Sequence, residues 1–119
     1  DTIEYAKNYP SGMCYCLGFS KEQQPVAFLS LLEGYPESTT LYVGLLLVDK
    51  RFQKDSIGKK IMNVVIDEAF SSGYSLIKLS VQDNNVSGYP FWKKLGFKAV
   101  KRTKGEGFYN ISMELERDI

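Results

Sequence analysis

An α/β fold, a mixed sheet with helices packed against it, is predicted by three features of the sequence. The run LYVGLLLV (41–48) carries no charge over eight residues, which suits a central strand covered on both faces. From Ile57 to about Ser71, apolar residues recur at Ile57, Ile61, Val64, Val65 and Ala69, the spacing of one helix face. SLIKLSV (75–81) is a second buried strand. A helix lying between two such strands is a crossover connection, which makes them parallel neighbours.

The remaining elements follow in order. Residues 1–9 read as the end of a helix stopped by NYPSG, because Pro10 and Gly12 break helices. MCYCLGFS and PVAFLSLLEG read as two strands joined by the polar turn KEQQ, a hairpin, and YPESTT is a loop. Gly73 ends the long helix. NNVSGYPFWKKLGF reads as a loop and a short helix that stops at Gly96. KAVKRT, the turn KGEG and FYNISMEL form a second hairpin. No repeat, low-complexity segment or linker interrupts the series, so residues 1–119 are expected to form one domain.

A chain of 119 residues can bury roughly two thirds of its unfolded surface, and 44% apolar with 24% charged residues is ordinary for a globular protein. The net charge of +1 gives no general attraction to nucleic acid or to anionic lipid. The halves differ: residues 1–49 carry two lysines and six acidic groups, residues 50–119 thirteen Lys/Arg and eight acidic groups. An anionic ligand therefore meets the second half more readily. The lysines are not interleaved with exposed aromatics, which sets a nucleic-acid module aside. The longest apolar run is eight residues, short of the ~20 a membrane helix needs, and there is no charged-then-apolar leader. Cys14 and Cys16 point to the same side of one strand, too close along it for an ordinary disulfide, and read as core thiols of a cytoplasmic protein. The sequence has no histidine, which removes Ser-His-Asp and Cys-His nucleophiles and most zinc sites. No metal site is expected, and any catalysis must use carboxylates, tyrosines, backbone amides, water or a cofactor.

FQKDSIGKKIM (52–62) places a polar turn and a helix start directly after the apolar strand. A helix start offers unpaired N–H groups and the positive end of the dipole, a setting for phosphate oxygens. A curled turn adds further N–H groups, Gly58 allows close approach to the backbone, and Lys54, Lys59 and Lys60 add positive charge. The nucleoside-triphosphate loop is excluded, since Gln53 stands where its first glycine belongs and Lys60 where it needs Ser or Thr. Read alone, the stretch is equally a solvated helix start.

LLLVDKRFQKDSIGKKIM resembles the acetyl-CoA signature of the GNAT N-acetyltransferase superfamily, Q/R-x-x-G-x-G/A after a strand, with Gln53 at the first position and Gly58 at the last. Thirty residues on, LSVQDNNVSGYPFWKKLGF resembles the family's later motif. Val81, Asn85, Phe91, Trp92, Lys94, Gly96 and Phe97 fall on its positions, and Gly88 stands where Ala is usual. The resemblance runs from about Met13 to the end. It implies a mostly antiparallel sheet splayed open between the two parallel strands, with acetyl-CoA in the gap. The pantetheine arm pairs with backbone groups of Leu46, Leu47 and Val48. The pyrophosphate sits on amides of Gln53, Lys54, Asp55, Ser56, Ile57, Gly58 and Lys59, and Asn85 and Trp92 contact the cofactor. The implied reaction is acetyl transfer to a primary amine of a small molecule or peptide by direct attack. The other reading is an acyl-CoA-binding sensor or assembly module without turnover.

Three departures from the family pattern set further expectations. Ser56 stands where glycine is usual, costing on the order of 1 kcal/mol if the position needs a positive φ. Trp92 takes the place of a frequent tyrosine acid; an indole N–H donates a hydrogen bond but is no acid near neutral pH. Tyr89 is a substitute candidate. The usual glutamate base is replaced by Tyr42, which leaves Glu33 and Glu37, near the end of the neighbouring strand, as candidate bases. With Tyr35 and Tyr42 they are expected to form an acidic, aromatic rim suited to a cationic amine. The family's N-terminal strand and two helices are missing or shortened in the approximately twelve residues before Met13. Either the chain is short there, or another subunit, as in a homodimer, supplies that wall of the acceptor site.

Overall fold

The computed structural model describes the backbone of residues 4–11 and 14–118, and the side chains of residues 14, 16–53 and 56–118. The strands are β1 (Glu4–Ser11), β2 (Cys14–Lys21), β3 (Gln24–Glu33), β4 (Thr40–Val48), β5 (Leu76–Gln82), β6 (Lys98–Lys104) and β7 (Tyr109–Glu116). A 3₁₀ helix over Lys50–Asp55 leads into α1 (Ile57–Ser71), and α2 (Gly88–Lys94) follows β5. The seven strands form one sheet in the order β1-β2-β3-β4-β5-β7-β6. All neighbours are antiparallel except β4 and β5, which are parallel, as the intervening helix requires.

Residues 4–11 are a strand and not the helix end expected from the sequence. The segment is too short for helical periodicity to decide its state, and it pairs with the free edge of β2 from Glu4↔Ser20 to Ser11↔Cys14. Tertiary pairing outweighs local propensity there. Pro10 lies where the register shifts between Asn8 and Ser11, at the sheet edge, the place where a missing N–H is tolerated.

Both helices lie on the same face of the sheet. The Cβ position of Gly58, in α1, is only 3.3 Å from the Phe91 ring of α2 and 3.5 Å from Val48. Ile57, Ile61, Met62 and Ala69 of α1, with Trp92 and Phe97, pack on Leu29, Leu31, Leu41, Val43, Ile77, Leu79 and Met113 to form one core. Strand alternation puts the intervening residues on the opposite, open face. There the half-buried Lys78 and exposed Ser80 of β5 neighbour Glu114 and Ser112 of β7, while Phe28, Leu45 and Leu47 of β3 and β4 are 37–55% exposed. Cys14 and Cys16 are free thiols, half-buried on this face beside Leu32 and Ser30. Among the described residues no helix is long and apolar enough to cross a membrane.

Candidate active site

The site grows from one interruption in the sheet. β4 and β5 pair in register from Thr40↔Leu76 to Val43↔Leu79, and there the pairing stops. β4 continues to Val48 and β5 to Gln82, so the strands part and their facing backbone groups lose ladder partners. At the same level the β3–β4 register slips: Leu31 pairs with Val43 but Ser30 with Leu45, leaving Gly44 as a bulge. A bulge bends its strand and increases local twist, which steers β4 away from β5. The resulting cleft of about 220 Å³ is lined by Gly44, Leu46, Ser80, Val81, Asn85 and Trp92, among others. The sequence signals for the bulge were slight: one glycine within an otherwise apolar strand.

Beyond the end of β4, side-chain bonds shape the turn. Asp49 accepts from the Arg51 N–H at 2.9 Å and from Arg51 Nε at 3.0 Å. These bonds from Arg51 hold the Asp49 carboxyl below the usual carboxylate range. Gln53 Nε2 donates to the Val48 carbonyl at 3.0 Å, folding the turn back on the strand. Ser56 has φ 58° and ψ 28°, a left-handed conformation, so the position does require positive φ. The first α-helical bond runs from the Lys60 N–H to the Ser56 carbonyl at 3.0 Å. The amides of Ile57, Gly58 and Lys59 therefore precede the ladder and point out of the helix start. Gly58 is buried, and the space a side chain would need there is filled by Phe91 and Val48, so it serves close packing of α1 as well as the turn. Lys59 and Lys60 are exposed; the side chains of Lys54 and Asp55 lie outside the described residues.

Across the cleft, Asn85 Oδ1 accepts from the Gly88 N–H at 3.0 Å, anchoring the start of α2 and leaving the Nδ2 end of the amide for a ligand. A Cβ at residue 88 would lie 2.6 Å from Asn85 Nδ2, so glycine is the residue that lets Asn85 sit in this position. Trp92 is 8% exposed, edge-on to Phe91 (4.9 Å) and Phe97 (5.4 Å), and one side of it borders the cleft. Tyr89 packs against the core and lies outside the cleft lining. Of the three β4 residues, Leu46 lines the cleft, Val48 packs towards α1, and Leu47 is 55% exposed on the open face.

The expected acidic rim is not assembled. Glu33 pairs with Leu41, which puts it on the helix face, where it lines a groove of about 670 Å³ beside α1. It accepts a 3.0 Å hydrogen bond from the Tyr74 hydroxyl. Burial, and then that bond and the charge on Glu33, raise the Tyr74 phenol above its ordinary value. Tyr42 is on the open face, edge-on to Tyr35 at 5.5 Å. Burial and the neighbouring Tyr35 raise its phenol too, against a lowering by Lys78. Glu37 is exposed in the β3–β4 loop. Glu33 and Tyr42 do not share the expected rim because they are offset by one position in register, and one residue of offset turns a side chain to the other face. Lys78, Ser80 and Gln82, absent from the sequence-derived candidates, alternate in LIKLSVQ with buried residues and mark the open face of β5 beside the gap.

A sequence model of the acetyltransferase (GNAT) family matches residues 1–97. No curated protein matches the sequence. Among solved structures, the ribosomal-protein-S18-alanine N-acetyltransferase of Escherichia coli is similar over 89% of this chain and 70% of its own, at 18% identity and a TM-score of 0.76. The PaiA N-acetyltransferase of Thermoplasma acidophilum, solved in complex with coenzyme A, matches over 88% of this chain and 62% of its own, at 21% identity and a TM-score of 0.75. An acetyltransferase of Bacillus subtilis, solved in complex with CoA, matches over 98% and 99%, at 12% identity and a TM-score of 0.77. At these identities the likeness is one of fold.

Proposed function

Since the chain belongs to the GNAT acetyltransferase family, we propose that it transfers the acetyl group of acetyl-CoA to a primary amine of a small molecule or peptide by direct attack. The observation that carries this reading is the parting of β4 from β5 after Val43 and Leu79, beside a helix start whose first amides are free of the ladder. The CoA complexes of the Thermoplasma and Bacillus subtilis relatives support it.

The residues present fit the co-substrate. The pantetheine arm lies along Leu46–Val48 as a partial extra strand, satisfying backbone groups that β5 leaves unpaired. The pyrophosphate rests on the turn, on amides from Gln53 to Lys59, with the left-handed Ser56 curling the backbone towards it. Lys59 adds charge at the rim, and Asn85 Nδ2 donates to the arm from the other wall.

Holding both reactants in one cleft supplies proximity. The amine nitrogen attacks the thioester carbon, the C–N bond forms, and the backbone N–H groups of β4 near the Gly44 bulge stabilise the oxyanion. The C–S bond then breaks and CoA leaves as a thiolate, with Trp92 bordering that end as a packing group. Tyr42, its phenol held neutral by burial, is no base near neutral pH. Glu33 is engaged by Tyr74 on the other face. Water on the open face takes the proton that the amine loses.

Melting temperature with and without acetyl-CoA, followed by thiol release on adding primary amines, tests the reading. Ligand at about 100 times its dissociation constant is expected to stabilise the fold by roughly 2.7 kcal/mol. Neither a shift nor thiol release with any amine would overturn it.

A further inference from the structure

We infer that the acceptor amine carries an anionic group, a carboxylate or a phosphate, held on the open face by Lys78 with the hydroxyls of Ser80 and Ser112. The inference rests on the acetyl-transfer reading above and names its substrate class. α1 and α2 cover the helix face of the cleft, and the helix start that seats the phosphates belongs to that side. The acceptor therefore reaches the thioester through the other mouth, across the open face.

The two banks of that mouth differ. The β4 bank offers Tyr42, stacked edge-on with Tyr35, and the exposed Leu45. The β5 bank offers Lys78 and Ser80. Register places Tyr42, Lys78 and Glu114 in one row across β4, β5 and β7, and Lys98 of β6 extends it. The next row holds Ser80, Ser112 and Lys101. The first row lies a single residue, about 3.3 Å, before the last β4–β5 pair, so it borders the opening itself. Three lysines stand against one carboxylate in these two rows.

Glu114 orients Lys78 rather than cancelling it. Its Oε2 lies 3.2 Å from Lys78 Nζ as an ion pair, and both side chains are about a quarter exposed. An ammonium has three donors, and a single ion-pair partner leaves donors for an acceptor anion. Glu33, the carboxylate expected from the sequence to draw a cation, faces the opposite way and is bound by Tyr74. A bare cationic amine thus competes with Lys78 for the one carboxylate of this row, Glu114, whereas an amine that carries its own anion is attracted and docked. The lysine also brings the anion to β5, on the side away from the aromatic bank, which orients the amine towards β4.

Matched acceptor pairs test this. An α-amino acid is compared with its decarboxylated amine, and phosphoethanolamine with ethanolamine, in the wild type and in Lys78→Met and Lys78→Arg. Acceptor binding to the CoA-saturated protein is read by calorimetry, and thiol release from acetyl-CoA is read separately. The anionic member of at least one pair is expected to bind about tenfold tighter or more, the strength of a charge-assisted hydrogen bond. Lys78→Met abolishes that preference and Lys78→Arg keeps it. The carboxylate and phosphate pairs show which anion is the better source. Equal binding within both pairs, tighter binding of the uncharged or cationic members, or a preference that survives Lys78→Met overturns the inference. Thiol release with some amine in such a case leaves the acetyl-transfer reading standing, and its absence with every amine condemns that reading instead.

Discussion

The two halves of the β4–β5 pair are built from similar residues and do opposite work. From Thr40 to Val43 the strand is zipped to Leu76–Leu79, and Leu41, Val43, Ile77 and Leu79 are at most 3% exposed. Two and four residues further on, Leu45 and Leu47 of the same strand are 43% and 55% exposed on the open face, and the partner strand has turned away. The zipped half satisfies its own backbone and holds the fold. The parted half leaves backbone groups for something else to satisfy, and such groups are retained only where solvent or a ligand completes them. One bulged glycine, Gly44, separates the two regimes.

The contrast is broken most forcefully by truncation. Ile77→Ala, at a fully buried position of the zipped half, is expected to cost about 3 kcal/mol of stability by chemical denaturation. Leu47→Ala, in the parted half, is expected to cost below about 1 kcal/mol. Equal costs would mean that the two halves are not energetically distinct.

Gly88→Ala sharpens the contrast from the far wall. The new Cβ, 2.6 Å from Asn85 Nδ2, displaces that amide from the cleft. Acetyl-CoA affinity by calorimetry is expected to fall about tenfold, the loss of one polar contact, while the melting temperature moves little.

Ser56→Gly releases the left-handed serine before α1 and is expected to stabilise the protein by about 0.5–1 kcal/mol. A neutral or destabilising result would show that the serine hydroxyl offsets its backbone strain.

The smallest effect is that of pH on the turn. Arg51 lowers the folded-state pKa of Asp49, so its contribution is present above the unfolded carboxylate value of about 4 and lost as pH falls through the lower folded value. The melting-temperature difference between wild type and Asp49→Asn is therefore expected to shrink below about pH 4. A difference independent of pH would mean that the carboxylate charge plays no part in the cap.

Much of this was legible in the sequence because it is local. α1 runs Ile57–Ser71, as the apolar spacing implies, and both strands of its crossover are where their apolar runs lie. The two hairpins, at Glu22–Gln23 and after Lys104, are also marked by turn residues. The turn and helix start after β4 stood out for the same reason. What escaped was non-local. β1 is a strand because β2 has a free edge, and no residue in EYAKNYPS states that. β7 lies between β5 and β6, an order that chain sequence does not encode. The side assignments of Glu33 and Tyr42 depend on the β3–β4 register, in which Glu33 pairs with Leu41 and Tyr42 with Leu32. The open-face row of Tyr42, Lys78 and Glu114 draws on three strands distant in sequence, so only the assembled sheet brings it together.

Residue-resolved amide hydrogen exchange, with and without CoA, tests most directly that the parted half and the adjoining helix start form the cofactor site. The predicted result is new protection confined to Gly44–Val48 and Gln53–Lys59, with Thr40–Val43, already bonded to β5, unchanged as an internal reference. Protection that leaves 44–48 untouched, or that appears equally along the zipped half, would contradict the account.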